Sequence, residues 1–429
     1  MARTPATRPL GRVGRRGALL ALALLPAPAE LPAAADPADP AGSAGVVSQV
    51  PGGLTAWRSR HYRVLTDLPR AEAVPYGRHM DRIHRSYAQL LDGLGGEAGG
   101  LQDLYLFGTR SAYLRALAGF GVDGSASGGM FFHGGRVPGG AGLATWVRGR
   151  PREEVLATLQ HEGFHQFAFL KAGDRFPLWL NEGLAEYFGE AVIVDGGVRR
   201  GIVDADRLHR LRAARSGGYA MSLGELLLLD AERWRQNLTS GSPHGPLQYD
   251  QAWAAVHFFL HASEPVERAF SGYVASLAAG VRPEEAFEAA FGGDAAAVEA
   301  AWDRFLRRLE PDGFGEALSG LRFLAEGVGY LFDRDGVVPA DAGAVEAALR
   351  AARFRVTTRS HGVEREASAL DPRVHRYTGE GGRERRFVLV PPAGPGLPPE
   401  VHAPALRPPA RIAWRRDAAG ELVSELVFD

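Results

Sequence analysis

Cysteine is absent from the 429 residues, and Lys171 is the only lysine, so arginine supplies almost all of the positive charge. Without cysteine, the chain can form no disulfide, offers no thiol nucleophile and has no thiolate with which to bind a metal. Any metal site must therefore be built from histidine and carboxylate side chains.

A charge excess of either sign is also missing, because 49 basic residues face 50 acidic ones. This balance provides no global positive field for nucleic acid, and we expect no nucleic-acid partner. The composition, with 45% apolar and 23% charged residues, is ordinary for a globular protein of two or three domains.

Long apolar runs are absent too, since no segment reaches the roughly eighteen uninterrupted apolar residues of a membrane helix. The N-terminus instead has an arginine-rich leader before a short apolar stretch, Gly17 to Leu25, and three small residues, Ala33 to Ala35. This pattern predicts a signal peptide over residues 1–35 that is cleaved on export, leaving no stable membrane insertion. We expect a secreted or periplasmic protein, and the pair Arg15-Arg16 leaves twin-arginine export open beside the general route.

The residues most indicative of chemistry form the motif H-E-x-x-H, from His161 to His165. Residues four apart lie on the same face of a helix, so both imidazoles can point at one metal ion while Glu162 lies beside them. Catalytic Zn²⁺ takes three protein ligands, and Glu182, on a second predicted helix entered through Pro177, is the candidate for the third. The alternative is a pair of surface histidines on an amphipathic helix.

This motif and the later run W-L-N-E-G-L-A-E-Y resemble the gluzincins, the zinc-peptidase clan of thermolysin and the zinc aminopeptidases. More narrowly, they are similar to the secreted bacterial "peptidase MA-like" family. The resemblance implies zinc metallopeptidase activity with His161, His165 and Glu182 as metal ligands. Sixteen residues separate His165 from Glu182, a shorter connection than in the well-known groups.

The same pattern predicts roles for two further carboxylates. Glu162 is the candidate general base, which takes a proton from a metal-activated water and passes it to the leaving amine. Glu186 follows Glu182 by one helical turn and is expected to orient a ligand histidine through its free ring nitrogen. Two alternatives remain open for Glu186, namely an exchange of roles with Glu182 and a solvated helix position.

A donor for the transition-state oxyanion is expected besides the metal. Tyr249 is the candidate, because its position before the apolar helix Gln251 to His261 is similar to that of the catalytic tyrosine in zinc aminopeptidases. His244 is the second candidate donor, by similarity to the downstream histidine of thermolysin-like enzymes. Tyr249 could instead serve only to cap a core helix.

The predicted fold is α+β, with a small N-terminal mixed sheet whose helices pack on a helical zincin-type domain, and a small C-terminal α/β module. We expect a flexible linker at 36–54, an N-terminal α/β part at 55–150, a helical metallopeptidase part at 151–310 and an accessory module at 311–429. Residues 178–194 are predicted as one helix, and Leu226 to Leu229 as core. The resemblance to gluzincins implies an edge strand that pairs with the peptide substrate, for which Phe131 to His133 or Leu143 to Val147 could serve. The alternative is a flexible glycine loop over 121–142 with two ordinary strands.

These features predict an exported, zinc-dependent metallopeptidase that acts on a peptide or protein substrate. One rival is a non-catalytic extracytoplasmic binding protein in which the zinc site is structural or vestigial. A zinc-dependent hydrolase of a non-peptide amide is the third interpretation.

Overall fold

The computed structural model describes residues 46–50, 53–91, 100–125, 127–134, 137–194, 196–360, 363–379, 382–417 and 420–429. The predicted signal peptide, 1–35, lies outside the described residues. Part of the predicted linker differs from expectation, because Val46–Val50 forms a strand that pairs with Leu54–Arg58. Three valines in these five residues favour strand pairing over a spacer.

The N-terminal sheet contains six strands. They are β1 (Val46–Val50), β2 (Leu54–Arg58), β3 (Tyr62–Thr66), β4 (Gln102–Phe107), β5 (Gly129–His133) and β6 (Ala141–Trp146). Their spatial order is β1-β2-β3-β4-β6-β5, in which β3, β4 and β6 are parallel and the other neighbours are antiparallel. Strand β5 therefore lies at an edge, whereas the alternative candidate, β6, is internal.

Helices cover both faces of this sheet. Helices α1 (Arg70–Leu90) and α3 (Arg152–Ala172) pack on one face, and α2 (Arg110–Phe120) packs on the other. Strand β4 shows the alternation that results, since Leu104 joins the core under α3 while Tyr105 joins the core under α2. The sheet thus provides a rigid support for α3.

A helical part follows α3. Its helices are α4 (Leu178–Gly189), α5 (Ala205–Ser216), α6 (Leu223–Leu227), α7 (Ala231–Thr239), α8 (His244–His261), α9 (Glu264–Ala278), α10 (Pro283–Phe291) and α11 (Ala295–Arg308). Helix α4 lies between α3 and α8, and an added Cβ at Gly183 would stand 2.5 Å from the carbonyl oxygen of Ala252. Only glycine at this position permits so close an approach of α4 and α8.

Two local predictions in this part were wrong. The helix predicted over 178–194 ends at Gly189, because the β-branched residues at 192–194 form strand β7 (Val192–Val194), which pairs with β8 (Gly197–Arg199). The leucine run predicted as core is only partly buried, since Leu226 is fully enclosed while Leu228 is 68% exposed. A short helix that ends at Leu227 turns the later leucines toward the surface.

The C-terminal part has its own apolar core. It comprises α12 (Gly313–Asp335), α13 (Ala342–Ala351) and the strands β9 (Arg355–Ser360), β10 (Val363–Ser368), β11 (Arg376–Thr378), β12 (Glu384–Arg386), β13 (Val388–Val390), β14 (Glu400–Ala403), β15 (Ala410–Arg416) and β16 (Leu422–Phe428). Strands β13 to β16 form an antiparallel sheet against which α12 packs. The predicted α+β class is confirmed. Among the described residues, no helix is both long and apolar enough to cross a membrane.

Candidate metal centre and active-site cleft

The two histidines of the motif and the carboxylate of the second helix meet between α3 and α4. His161 Nε2 and His165 Nε2 are 3.1 Å apart, and Glu182 Oε2 lies 3.6 Å from each of them. In a tetrahedral zinc site with bonds of about 2.1 Å, neighbouring ligand atoms are about 3.4 Å apart. The three side chains therefore fit Zn²⁺, and no fourth histidine, cysteine or carboxylate joins this group in the described part of the chain.

The surroundings of the Glu182 carboxyl disfavour its charged form. Burial and the neighbouring Glu186 raise the pKa of Glu182 to about 8. A divalent cation between Glu182 and the two imidazoles would favour the ionised carboxylate and reverse this shift.

Glu162 faces the edge of the N-terminal sheet. Its Oε2 accepts a hydrogen bond from the backbone N–H of Phe131 on β5, at 2.8 Å. Burial raises the pKa of Glu162 to about 7, although the charge of His165 and the Phe131 N–H act in the opposite direction. The carboxyl thus lies between the candidate metal ligands and the edge strand.

Glu186 lies on the far side of the His161 ring from Glu182. Its Oε1 is 3.4 Å from His161 Nδ1, while its Oε2 forms an ion pair with Arg207 of α5. Glu182, not Glu186, is therefore the carboxylate that shares a point with both histidine Nε2 atoms. The geometry matches the expected orienting role of Glu186 and leaves its exchange with Glu182 without structural support.

Arg207 is a residue that the sequence analysis missed. It is buried among carboxylates, with Glu190 2.8 Å and Asp250 3.9 Å from its guanidinium nitrogens in addition to the pair with Glu186. Burial alone would lower the pKa of Arg207, but these carboxylates raise it above its ordinary value. No motif spacing pointed to it, because its only local signal is the capping hydrogen bond from its N–H to Asp204.

Two polar atoms at the candidate metal centre are buried and have no hydrogen-bond partner in the structure. They are His165 Nδ1 and Oδ1 of Asn181, the residue directly before Glu182.

The two candidate oxyanion donors have different surroundings. Tyr249 lines the same cavity as His161 and Glu162, and burial together with the nearby Glu182 raises its pKa. His244, the first residue of α8, is not among the residues that line this cavity. It lies near Glu225, whose pKa is lowered mainly by hydrogen bonds with Ser222 and further by His244. The structure thus brings Tyr249, but not His244, to the candidate site.

Two cavities are lined by the candidate metal ligands, one by His161 and the other by His165 and Glu182. The larger, of about 1660 Å³, is lined by His161, Glu162 and Tyr249 and by residues 128–130 of the edge-strand segment; we call it the large cavity. The smaller, of about 630 Å³, is lined by His165, Glu182, Phe131 and His133; we call it the small cavity. Edge strand β5 thus runs from the large cavity into the small one, past the candidate metal centre.

The wall of the small cavity contains aromatic, aliphatic and acidic side chains. His133 stacks on Phe169, with ring centroids 4.3 Å apart, and Phe131 lies beside both. The cavity is also lined by Leu227 to Leu229 and by the carboxylates Asp174, Asp230 and Glu284.

A family model described as "Protein of unknown function (DUF1570)" matches residues 155–276. The matched stretch begins within α3 and ends within α9, so it contains all of the predicted site residues from His161 to Tyr249. No curated protein matches the chain.

Proposed function

We propose that this protein is a zinc-dependent metallopeptidase in which His161, His165 and Glu182 hold the metal. The observation that supports this most strongly is the convergence of the three ligand atoms within 4.8 Å of one another, at a point open to a cleft. When bound there, Zn²⁺ supplies Lewis-acid activation of a water molecule and of the scissile carbonyl.

The chain's own residues complete the reaction. Glu162 accepts the proton of the attacking water and returns it to the leaving amine. Tyr249 donates its phenolic hydrogen to the oxyanion that develops on the scissile carbonyl. Glu186 fixes the ring of His161 through Nδ1, and Arg207 holds Glu186 in place.

The substrate peptide binds in extended form along the free edge of β5. The N–H of Phe131 points away from β6 to Glu162, and in a strand Gly129 and His133 share this direction. Antiparallel pairing is the more stable arrangement, so the peptide runs opposite to β5, from the small cavity into the large one. Its C-terminal half then occupies the large cavity, and the residue before the scissile bond occupies the small cavity.

An open site supports catalysis over a purely structural metal. A structural zinc is closed by four protein ligands, whereas this group offers three within the described ranges and lies where two cavities meet.

We further propose that the protein is exported, because its arginine-rich leader and short apolar stretch have the pattern of a signal peptide. N-terminal sequencing of protein from the cell-free or periplasmic fraction should find a start near residue 36. An intact leader on protein confined to the cytosol would contradict export.

The function is tested with purified protein by metal analysis and digestion of a proteome-derived peptide library, with chelated protein as a control. One zinc per chain and cleavage that the chelator abolishes are expected. Glu162→Gln should retain zinc but lose turnover, whereas Glu267→Gln, at an exposed position on α9, should behave as the wild type. Full cleavage by Glu162→Gln would rule out the assigned base, and absence of cleavage by the zinc-loaded wild type would refute the proposed function.

A further inference from the structure

The wall of the large cavity opposite the edge strand comes from the C-terminal part of the chain. Helix α12 contributes Gly315, Leu318, Ser319 and Arg322, whose spacing of three, four and seven residues defines one helical face. A residue far along the chain from the metal ligands, Arg322, is thereby presented to the cavity that contains His161 and Glu162.

Arg322 has no carboxylate that neutralises it at short range. Its Nε is buried without a hydrogen-bond partner, and no described carboxylate forms an ion pair with its guanidinium group. Burial lowers the pKa of Arg322, and the more distant Glu153 and Glu190 oppose this shift. An arginine stays charged at such a site, so a guanidinium group without a close ion-pair partner faces the cavity.

Three other arginines that line the large cavity have carboxylate partners. Arg150 pairs with Glu154, Arg152 with Glu425, and Arg207 with Glu186 and Glu190. Unlike these three, Arg322 has an N–H donor at Nε that no group in the structure accepts.

We propose that Arg322 binds a carboxylate of the peptide substrate, in the half of the cleft that receives the C-terminal side of the scissile bond. This inference rests on the proposed function. A guanidinium group can bind a carboxylate through two parallel hydrogen bonds, and burial in the cavity wall strengthens such a contact. The carboxylate belongs either to the peptide C-terminus or to an aspartate or glutamate side chain.

The test measures binding separately from turnover. Zinc-loaded Glu162→Gln protein is immobilised and incubated with a randomised nonapeptide library in three forms, namely free acid, C-terminal amide, and amide without aspartate or glutamate. Mass spectrometry then measures the retained fraction of each form. A lost charged hydrogen bond corresponds to a roughly 10- to 100-fold weaker Kd. If Arg322 binds the peptide C-terminus, the C-terminal amides should be retained less than the free acids by this factor. If it binds an acidic side chain, the drop should instead appear between the amides with and without aspartate or glutamate.

Variants assign the effect to the arginine. In the Glu162→Gln background, Arg322→Gln should abolish the preference for carboxylates while still retaining amidated peptides, and Arg322→Lys should recover part of it. Arg334→Gln, at an exposed position near the end of α12 where the arginine pairs with Asp335, is the matched control and should leave the preference unchanged.

The outcomes distinguish the two proposals. If the wild type cleaves the library but acid and amide forms bind equally, the role of Arg322 is refuted while the peptidase function stands. The same conclusion follows if Arg322→Gln keeps the preference. If the wild type cleaves nothing and the Glu162→Gln protein retains no peptide, both proposals fail.

Discussion

Replacing Glu186 with glutamine should weaken zinc binding without removing any metal ligand. Glu186 contacts His161 Nδ1 through one oxygen and Arg207 through the other. A glutamine can present its oxygen to only one of these donors, so its amide N–H groups must face either the imidazole N–H or the guanidinium group. Loss of such a partner typically lowers metal affinity 10- to 100-fold, which is about 1.4 to 2.7 kcal/mol.

Glu190→Gln provides the matched control for this change. Glu190 also binds Arg207 and accepts a hydrogen bond from Trp253. Both variants therefore perturb the same buried arginine, and the comparison between them tests the contact of Glu186 with His161 Nδ1. Competition with a fluorescent zinc chelator measures both affinities. Equal zinc affinities in the two variants would refute the orienting role of Glu186.

Three further predictions concern the reaction and the fold. Tyr249→Phe should lower kcat by roughly 100- to 1000-fold with KM little changed, as steady-state kinetics would show, and an unchanged kcat would exclude this oxyanion donor. Gly183→Ala should destabilise the protein by about 1–3 kcal/mol in denaturant unfolding, because the new Cβ meets Ala252; wild-type stability would contradict the close helix contact. Burial lowers the pKa of His84 to about 3, so below pH 6.5 the unfolded chain takes up a proton that the folded protein refuses. The contribution of His84 to the free energy of unfolding should fall by up to about 1.4 kcal/mol per pH unit as the pH drops from 6.5 toward 3. His84→Phe should therefore reduce the dependence of stability on pH over this range, and an unchanged dependence would exclude this role of His84.

The ligand positions could be predicted from the sequence because local geometry determines them. His161 and His165 are four residues apart on one helix, and the pitch of the helix places both imidazoles on one face whatever the rest of the fold. Local geometry does not determine the position of Glu182, since its meeting with α3 depends on the connection between the helices. The structure shows how a short connection suffices, with a single turn at Gly173–Arg175 before α4 begins at Leu178.

Residues that act through long-range contacts could not be predicted in this way. Arg207 meets Glu186 because α5 packs against α8, which itself packs on α4, and the arginine-rich composition hides it among many similar residues. The start of α8 affects the two candidate oxyanion donors in a similar way. The sequence predicts a helix from Gln251, whereas α8 begins at His244. His244 is thus the first residue of the helix, and Tyr249, further along it, lines the large cavity.

The C-terminal part of the chain illustrates why a domain boundary is a poor guide to a site. Its sequence contains no motif for a ligand, which favoured an accessory role. In the structure the backbone N–H of Leu426 donates to Glu153 on α3, across 273 residues, and Arg152 pairs with Glu425 beside it. These contacts attach β16 to the first turns of the same helix that holds the metal ligands. Because α3 is rigid, this attachment fixes the position of the far wall of the large cavity relative to His161, and a substrate that extends beyond the metal must fit both parts of the protein.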